Sequence, residues 1–289
     1  MKTFHKVFFS LAVILLFAVS ATSGAAQRVI QAKDRYAKFG DIKVHYLDQG
    51  KGKSALIFVH GWTCNMDFWK GQFTGFAGKR VIFLDLPGHG KSDKPQTSYT
   101  MEYFARSVEA VMKDAGVKRA VLAGHSMGTP VIRNFYKLYP EKTLGLIVVD
   151  GSLRTFANKE EAAGYMAAFK ADYKKTAGAM IEGMMPTASA ELKQQIKAGM
   201  LATPESVALS AMENMMQDVS YPQDKITVPV LSVLADSPFW PPDTEKYMRS
   251  VTTNLDYKMM KGVSHFLMME KPAEFNLMVN DFLTKNNLP

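Results

Sequence analysis

Hydrolysis by a nucleophile needs a hydroxyl or thiol, a base beside it and a group to orient that base. The sequence sets one serine apart. The stretch "VLAGHSMG", residues 121–128, frames Ser126 between Gly124 and Gly128. A serine hydroxyl is a weak nucleophile near neutral pH, so a base must take its proton as it attacks. Gly-x-Ser-x-Gly alone decides little: at glycine and serine frequencies of roughly 7 per cent it arises by chance in on the order of one chain in ten of this length. Context carries the signal. The apolar run "RAVLA" before Ser126 suits a strand, and "MGTPVIRNFYKLYP" after it suits a helix ending before Pro140. Strand, sharp turn and helix are what a nucleophile elbow requires, and its tight turn explains both glycines.

Six histidines are candidate bases. His5 lies near the N-terminus, His45 in an early strand, His60 in "HGW", His89 in the turn "PGHGKSD" and His125 within the elbow itself. His265 stands in "GVSHFLMMEKPAEF", after the last expected strand and before the final helix. A loop there points across the carboxyl edge of a parallel sheet, where the elbow serine also emerges. His265 is therefore the expected base.

The elements that must position these groups are legible as alternating patterns. "IKVHYLD", "ALIFVHG", "RVIFLDLPG", "RAVLAGHS", "LGLIVVDG", "VPVLSVLAD" and "LDYKMMKG" are short β-branched runs, several of them continuously apolar. Such runs suit strands covered on both faces. Between them, residues 100–115 place Phe104, Val108, Val111 and Met112 at helical spacing. The alternation predicts an α/β domain with a mostly parallel sheet. Residues 154–225 break the pattern: they are rich in Ala, Lys, Glu and Met and have no convincing strand, which predicts a helical insertion. Its methionines (Met166, Met180, Met184, Met185, Met200, Met212, Met215 and Met216) either pack helices or line an adaptable apolar pocket. The expected organisation is a leader at 1–26, a first core segment at 27–153, the insertion at 154–225 and a second core segment at 226–289.

Four ordered motifs, "HGWTCNMDFW", "LDLPGHGKSD", "AGHSMG" and "GVSHFLMMEKPAEF", resemble the α/β-hydrolase family, and the resemblance runs from about Asp41 to Leu288. It implies a mostly parallel eight-stranded sheet flanked by helices, with a helical cap where the insertion falls. It also implies an oxyanion hole of two backbone amides, one from Met127 after the nucleophile and one from Trp62 after "HG". In the commonest pattern of the family the acid stands three residues after a glycine ending the strand "VPVLSVLAD"; here Ala235 replaces that glycine and Pro238 occupies the acid position. Asp236 lies nearby at another offset. A second location, used by haloalkane dehalogenases and some relatives, corresponds to Asp150 at the end of "LIVVDG". Asp150 is the first choice, Asp236 the alternative, and Asp243 a further candidate. The acid holds the histidine tautomer and stabilises the imidazolium.

The rest of the composition narrows the function. The 289 residues, 47% of them hydrophobic, suffice for a full core. A net charge of +8 is spread among interleaved Asp and Glu rather than gathered into a stripe, which argues against a nucleic-acid partner. "MKTFHKVFFSLAVILLFAVSATSGAAQ" has the cationic start, apolar run and small residues of a secretory leader cleaved after Ala26, so a secreted or periplasmic protein without stable membrane insertion is expected. Cys64, the only cysteine, permits no internal disulfide. No metal or organic cofactor is required. The expected function is a serine hydrolase acting on a small carboxylic ester with an apolar acyl or aryl group; Trp62, Phe239 and Trp240 are expected to wall its pocket. The same triad serves a cofactor-free haloperoxidase or perhydrolase, a lactonase or a carbon–carbon bond hydrolase, and a slow hydrolase-fold binding protein is the alternative of another class.

Overall fold

The computed structural model describes residues 33–154, 159–217 and 225–289; the expected leader at 1–26 lies outside them. Eight strands form one sheet: β1 (Lys33–Phe39), β2 (Ile42–Gln49), β3 (Ser54–Val59), β4 (Val81–Leu84), β5 (Arg119–His125), β6 (Thr143–Val149), β7 (Val230–Ala235) and β8 (Leu255–Met260), in the order β1-β2-β4-β3-β5-β6-β7-β8. The pairings of β1 with β2 and of β2 with β4 are antiparallel, and all others are parallel. The mostly parallel eight-stranded sheet is thus present. Val81–Leu84 and Val230–Ala235 are buried throughout, which is why both stretches are continuously apolar rather than alternating.

The helix expected at residues 100–115 is α1 (Met101–Ala115). Thr100 caps it by accepting from the Tyr103 amide at 3.0 Å, and Gly116 ends it at φ +67°. Phe104, Val108, Val111 and Met112 are all buried on its inner face. α2 (Gly128–Leu138) follows β5 directly and packs on α1, β5 and β6. Among the described residues four helices lie between β6 and β7: α3 (Lys159–Ala171), α4 (Tyr173–Gly183), α5 (Ala190–Leu201) and α6 (Glu205–Gln217). α7 (Thr244–Val251), the single turn α8 (Leu267–Glu270) and α9 (Pro272–Lys285) complete the core.

One element escapes the hydropathy pattern. β1, "KDRYAKF", is a charged edge strand whose only buried described residue is Ala37. Edge strands carry such charge because it discourages pairing with other chains.

Candidate functional site

Ser126 follows β5 with φ +51°, a conformation few non-glycine residues adopt. The chain around it is packed backbone on backbone. A Cβ at Gly124 would lie 2.3 Å from the Gly128 carbonyl oxygen, and one at Gly128 would lie 2.5 Å from that of Val59. Both glycines of the elbow therefore have no room for a side chain, and the turn lifts Ser126 to the end of the sheet beside the start of α2.

Asp150 follows β6, the strand next to β5, and is buried with φ +40°. Its Oδ2 lies 2.6 Å from His265 Nδ1, and its Oδ1 accepts from the Ala235 amide at 2.7 Å. With Nδ1–H donating to the carboxylate, Nε2 is left as the accepting edge of the imidazole. The residue after Asp150 must be glycine, because a Cβ at Gly151 would come 2.0 Å from Thr129 Oγ1. Asp236 is exposed, and its amide is bound to the Met260 carbonyl of β8. Asp243 pairs instead with Arg154 at 2.6 Å. Of the three aspartates weighed for the position, Asp150 is the one in contact with His265.

The loop carrying His265 is held from three sides. The Ser264 amide and hydroxyl donate to Glu270 Oε1 at 2.8 and 2.6 Å. The His265 amide donates to the Met184 carbonyl at 3.1 Å, and His125 Nε2–H donates to the His265 carbonyl at 2.9 Å. That last bond commits His125, whose pKa burial drives well below the usual histidine value, to a structural role beside the serine. His60 and His89 are likewise buried and held neutral by desolvation, His89 down to about 3. His60 donates from Nδ1 to the Gly61 carbonyl and accepts at Nε2 from the Leu86 amide.

The two amides expected to form the oxyanion hole belong to residues near the serine in the chain or the fold: Met127 follows Ser126, and Trp62 follows Gly61. A Cβ at Gly61 would sit 3.2 Å from Ser126 Cβ, which shows how closely the Gly61–Trp62 backbone approaches. Met127 is the N-cap of α2, where amides point out of the helix unsatisfied. Among the described residues neither amide donates to a backbone carbonyl.

Ser126, His265, His125, Gly61 and Trp62 share a cavity of ≈ 40 Å³. Its remaining walls are Cys64, Phe266 and five methionines: Met180, Met184, Met200, Met212 and Met215. Burial pushes the Cys64 thiol up, so it stays protonated. Among the described residues no three His, Cys, Asp or Glu side chains converge to hold a metal ion. The expectation that Phe239 and Trp240 wall the pocket is corrected: neither lines the cavity, and Phe239 is 70% exposed. The two rings pack edge-on against each other in the β7–α7 loop, while methionines from α4 to α6 occupy the space over Ser126. Trp62 does line the cavity, and its indole N–H donates to the Ala208 carbonyl of α6 at 2.8 Å.

An ionic staple centred on buried His45 and Asp85 ties β2 and the end of β4 to the segment that follows Trp62. Asp85, placed by β4, accepts from the Met66 and Lys91 amides and from His45 Nδ1, all within 2.9 Å. His45 Nε2 meets Asp34 Oδ1 at 2.7 Å. Burial opposes a charge on His45, but the hydrogen bonds of Asp85 and Asp34 outweigh it and raise the pKa above the usual value. A raised folded-state pKa contributes stability fully below the unfolded value and loses it as pH climbs through the folded value. His45→Gln is therefore expected to cost on the order of 2 kcal/mol, or about 4–8 °C in Tm, at about pH 5.5 and clearly less at about pH 9. Thermal melts of both chains across that range check it, and an equal cost at both ends contradicts the charged staple.

A family model described as alpha/beta hydrolase fold matches residues 54–257. Over 264 residues the chain is 27% identical to a 2-hydroxy-6-oxononadienedioate/2-hydroxy-6-oxononatrienedioate hydrolase of Paraburkholderia phymatum, covering 84% of this chain and 91% of that protein. The fold superposes on an esterase (EaEST) from Exiguobacterium antarcticum with a TM-score of 0.78 at 19% identity, over 87% of this chain and all 100% of the other. It superposes on Est816, described as an N-acyl homoserine lactone degrading enzyme, with a TM-score of 0.75 at 24% identity, over 86% and 100% of the two chains.

Proposed function

The chain belongs to the alpha/beta hydrolase fold family, and on that premise we propose that it is a serine hydrolase cleaving neutral carboxylic esters through an acyl-enzyme on Ser126. One observation carries the reading: Asp150 meets His265 Nδ1 at 2.6 Å, and His265 and Ser126 line the same cavity. In the first step Ser126 Oγ bonds to the ester carbonyl carbon and its proton passes to His265 Nε2. The negative charge that gathers on the carbonyl oxygen is met by the Trp62 and Met127 amides, preorganised donors of the kind worth about a hundredfold or more in rate. The carbon–oxygen bond to the alcohol then breaks, with the proton delivered from Nε2 to the leaving oxygen. Water then takes the place of the alcohol: it bonds to the acyl carbon as its proton passes to His265 Nε2, the bond to Ser126 Oγ breaks, and the proton returns to Oγ as the acid leaves.

The walls support a small, uncharged acyl group. A volume of ≈ 40 Å³ has room for roughly three water-sized groups, so acyl chains of about two to four carbons enter without displacing a methionine. No Lys or Arg lines the cavity, and a carboxylate buried there without a cation is strongly disfavoured. This separates the site from one for a dicarboxylate such as the substrate named for the Paraburkholderia hydrolase. The leader expected at residues 1–26 supports a secreted or periplasmic location.

The test is a series of p-nitrophenyl esters followed in a stopped-flow instrument. The expected result is a burst of p-nitrophenol, then sustained turnover that is fastest for short acyl groups and poor for ω-carboxylated ones. A burst with no turnover favours a slow binding protein, and no release from any ester contradicts the reading.

A further inference from the structure

The turn that carries the Trp62 amide is strained, and the helices above it hold the strain. The Cys64 amide donates to the Gly61 carbonyl at 3.2 Å, closing a four-residue turn with Trp62 and Thr63 at its centre. Thr63 takes the third position with φ +55°. A turn with positive φ there ordinarily uses glycine, and a β-branched residue in that region is an outlier. Such conformations persist where the surroundings over-determine them. The side chain of Thr63 contributes nothing of the kind, since its Oγ1 is buried without a hydrogen-bond partner.

What holds the turn comes from the segment between β6 and β7. The hydroxyl of Thr203, itself buried in the connection from α5 to α6, donates to the Thr63 carbonyl at 2.9 Å. Five residues on, the Ala208 carbonyl receives the Trp62 indole N–H, and Phe169 of α3 packs edge-on against the same indole at 5.6 Å. Both central residues of the turn are thus fastened to the segment between β6 and β7, which is distant in sequence and supplies methionines to the cavity that Ser126 lines.

We infer that Thr203 is a positioning residue for the ester hydrolysis proposed above, on which this inference rests: its hydroxyl keeps Thr63 left-handed and so aims the Trp62 amide at the developing oxyanion. Without that bond Thr63 relaxes toward negative φ, and the peptide joining it to Trp62 rotates. The amide one residue back then leaves the line of the oxyanion. An interaction made only in the transition state is lost, so kcat falls while KM stays.

Steady-state kinetics on p-nitrophenyl acetate test this with three variants. Thr203→Val keeps the shape and removes the donor; it is expected to lose about tenfold or more in kcat with KM within about twofold. Thr203→Ser restores the donor and is expected to restore kcat. Thr63→Gly/Thr203→Val is expected to recover most of kcat, because glycine adopts positive φ without a tether. Wild-type kcat in Thr203→Val, equal losses in the Val and Ser variants, or a KM that rises as far as kcat falls each overturns the inference. If Thr203→Val alone does not fold, the double variant decides: kcat within about threefold of wild type supports the tether, and a larger loss overturns it. No ester turnover by the wild-type chain overturns the proposed function, and the inference with it.

Discussion

Ser126→Ala is expected to lower kcat for p-nitrophenyl acetate by about 10⁴- to 10⁶-fold while the protein keeps its fold. The alanine methyl fits wherever the serine stood, because the elbow is held by Gly124, Gly128 and the Ser126 amide, which donates to the Val149 carbonyl at 3.0 Å. What disappears is the atom that forms the acyl bond. No neighbour replaces it. The buried Cys64 thiol is held protonated, and His125 is neutral with Nε2–H given to the His265 carbonyl. A residual rate above the uncatalysed one is expected from water attacking a carbonyl polarised by the Trp62 and Met127 amides. Thermal melting alongside the kinetics separates loss of chemistry from loss of fold.

Asp150→Asn is expected to cost about 10⁴ in kcat, and the geometry says why. Asp150 Oδ1 accepts from the Ala235 amide at 2.7 Å, so an asparagine must keep its carbonyl oxygen on that side. Its NH₂ then faces His265 Nδ1 across the 2.6 Å gap now filled by the carboxylate. The ring must accept there, its proton moves to Nε2, and the nitrogen assigned as the base becomes a donor. A base that already carries its proton cannot take another. Asp236→Asn, at an exposed position whose amide is tied to β8, is expected to leave kcat within about twofold. Kinetics of the pair decide the assignment: a collapse in Asp236→Asn with Asp150→Asn intact reverses it.

The sequence made the larger features of this protein legible because they depend on local periodicity. Phe104, Val108, Val111 and Met112 fall on one helical face, and the buried strands are continuous apolar runs. β1 was not legible, because an exposed, charged edge strand has no apolar pattern. At the site, spacing along the chain could not choose between Asp150 and Asp236, since the ends of β6 and of β7 both offer a place for the acid. The choice rests on side-chain direction: Asp150 Oδ2 meets His265 Nδ1 at 2.6 Å, whereas Asp236 is exposed. One local cue was present: the Gly after Asp150, required by the approach of Thr129. The aromatic character of Phe239 and Trp240 suggests a pocket wall, but the methionines that line the cavity come from α4, its C-cap, α5 and α6. The bond from Thr203 to Thr63 spans 140 residues, and no pattern in the chain announces it.

The acyl-enzyme itself is the most direct thing to observe. During the p-nitrophenyl acetate burst the protein is quenched with acid, and its intact and peptide masses are recorded. The mechanism requires one added acetyl group, located on the peptide that contains Ser126 and absent from Ser126→Ala. An acetyl group on any other residue, or full turnover with no adduct at any time point, contradicts it.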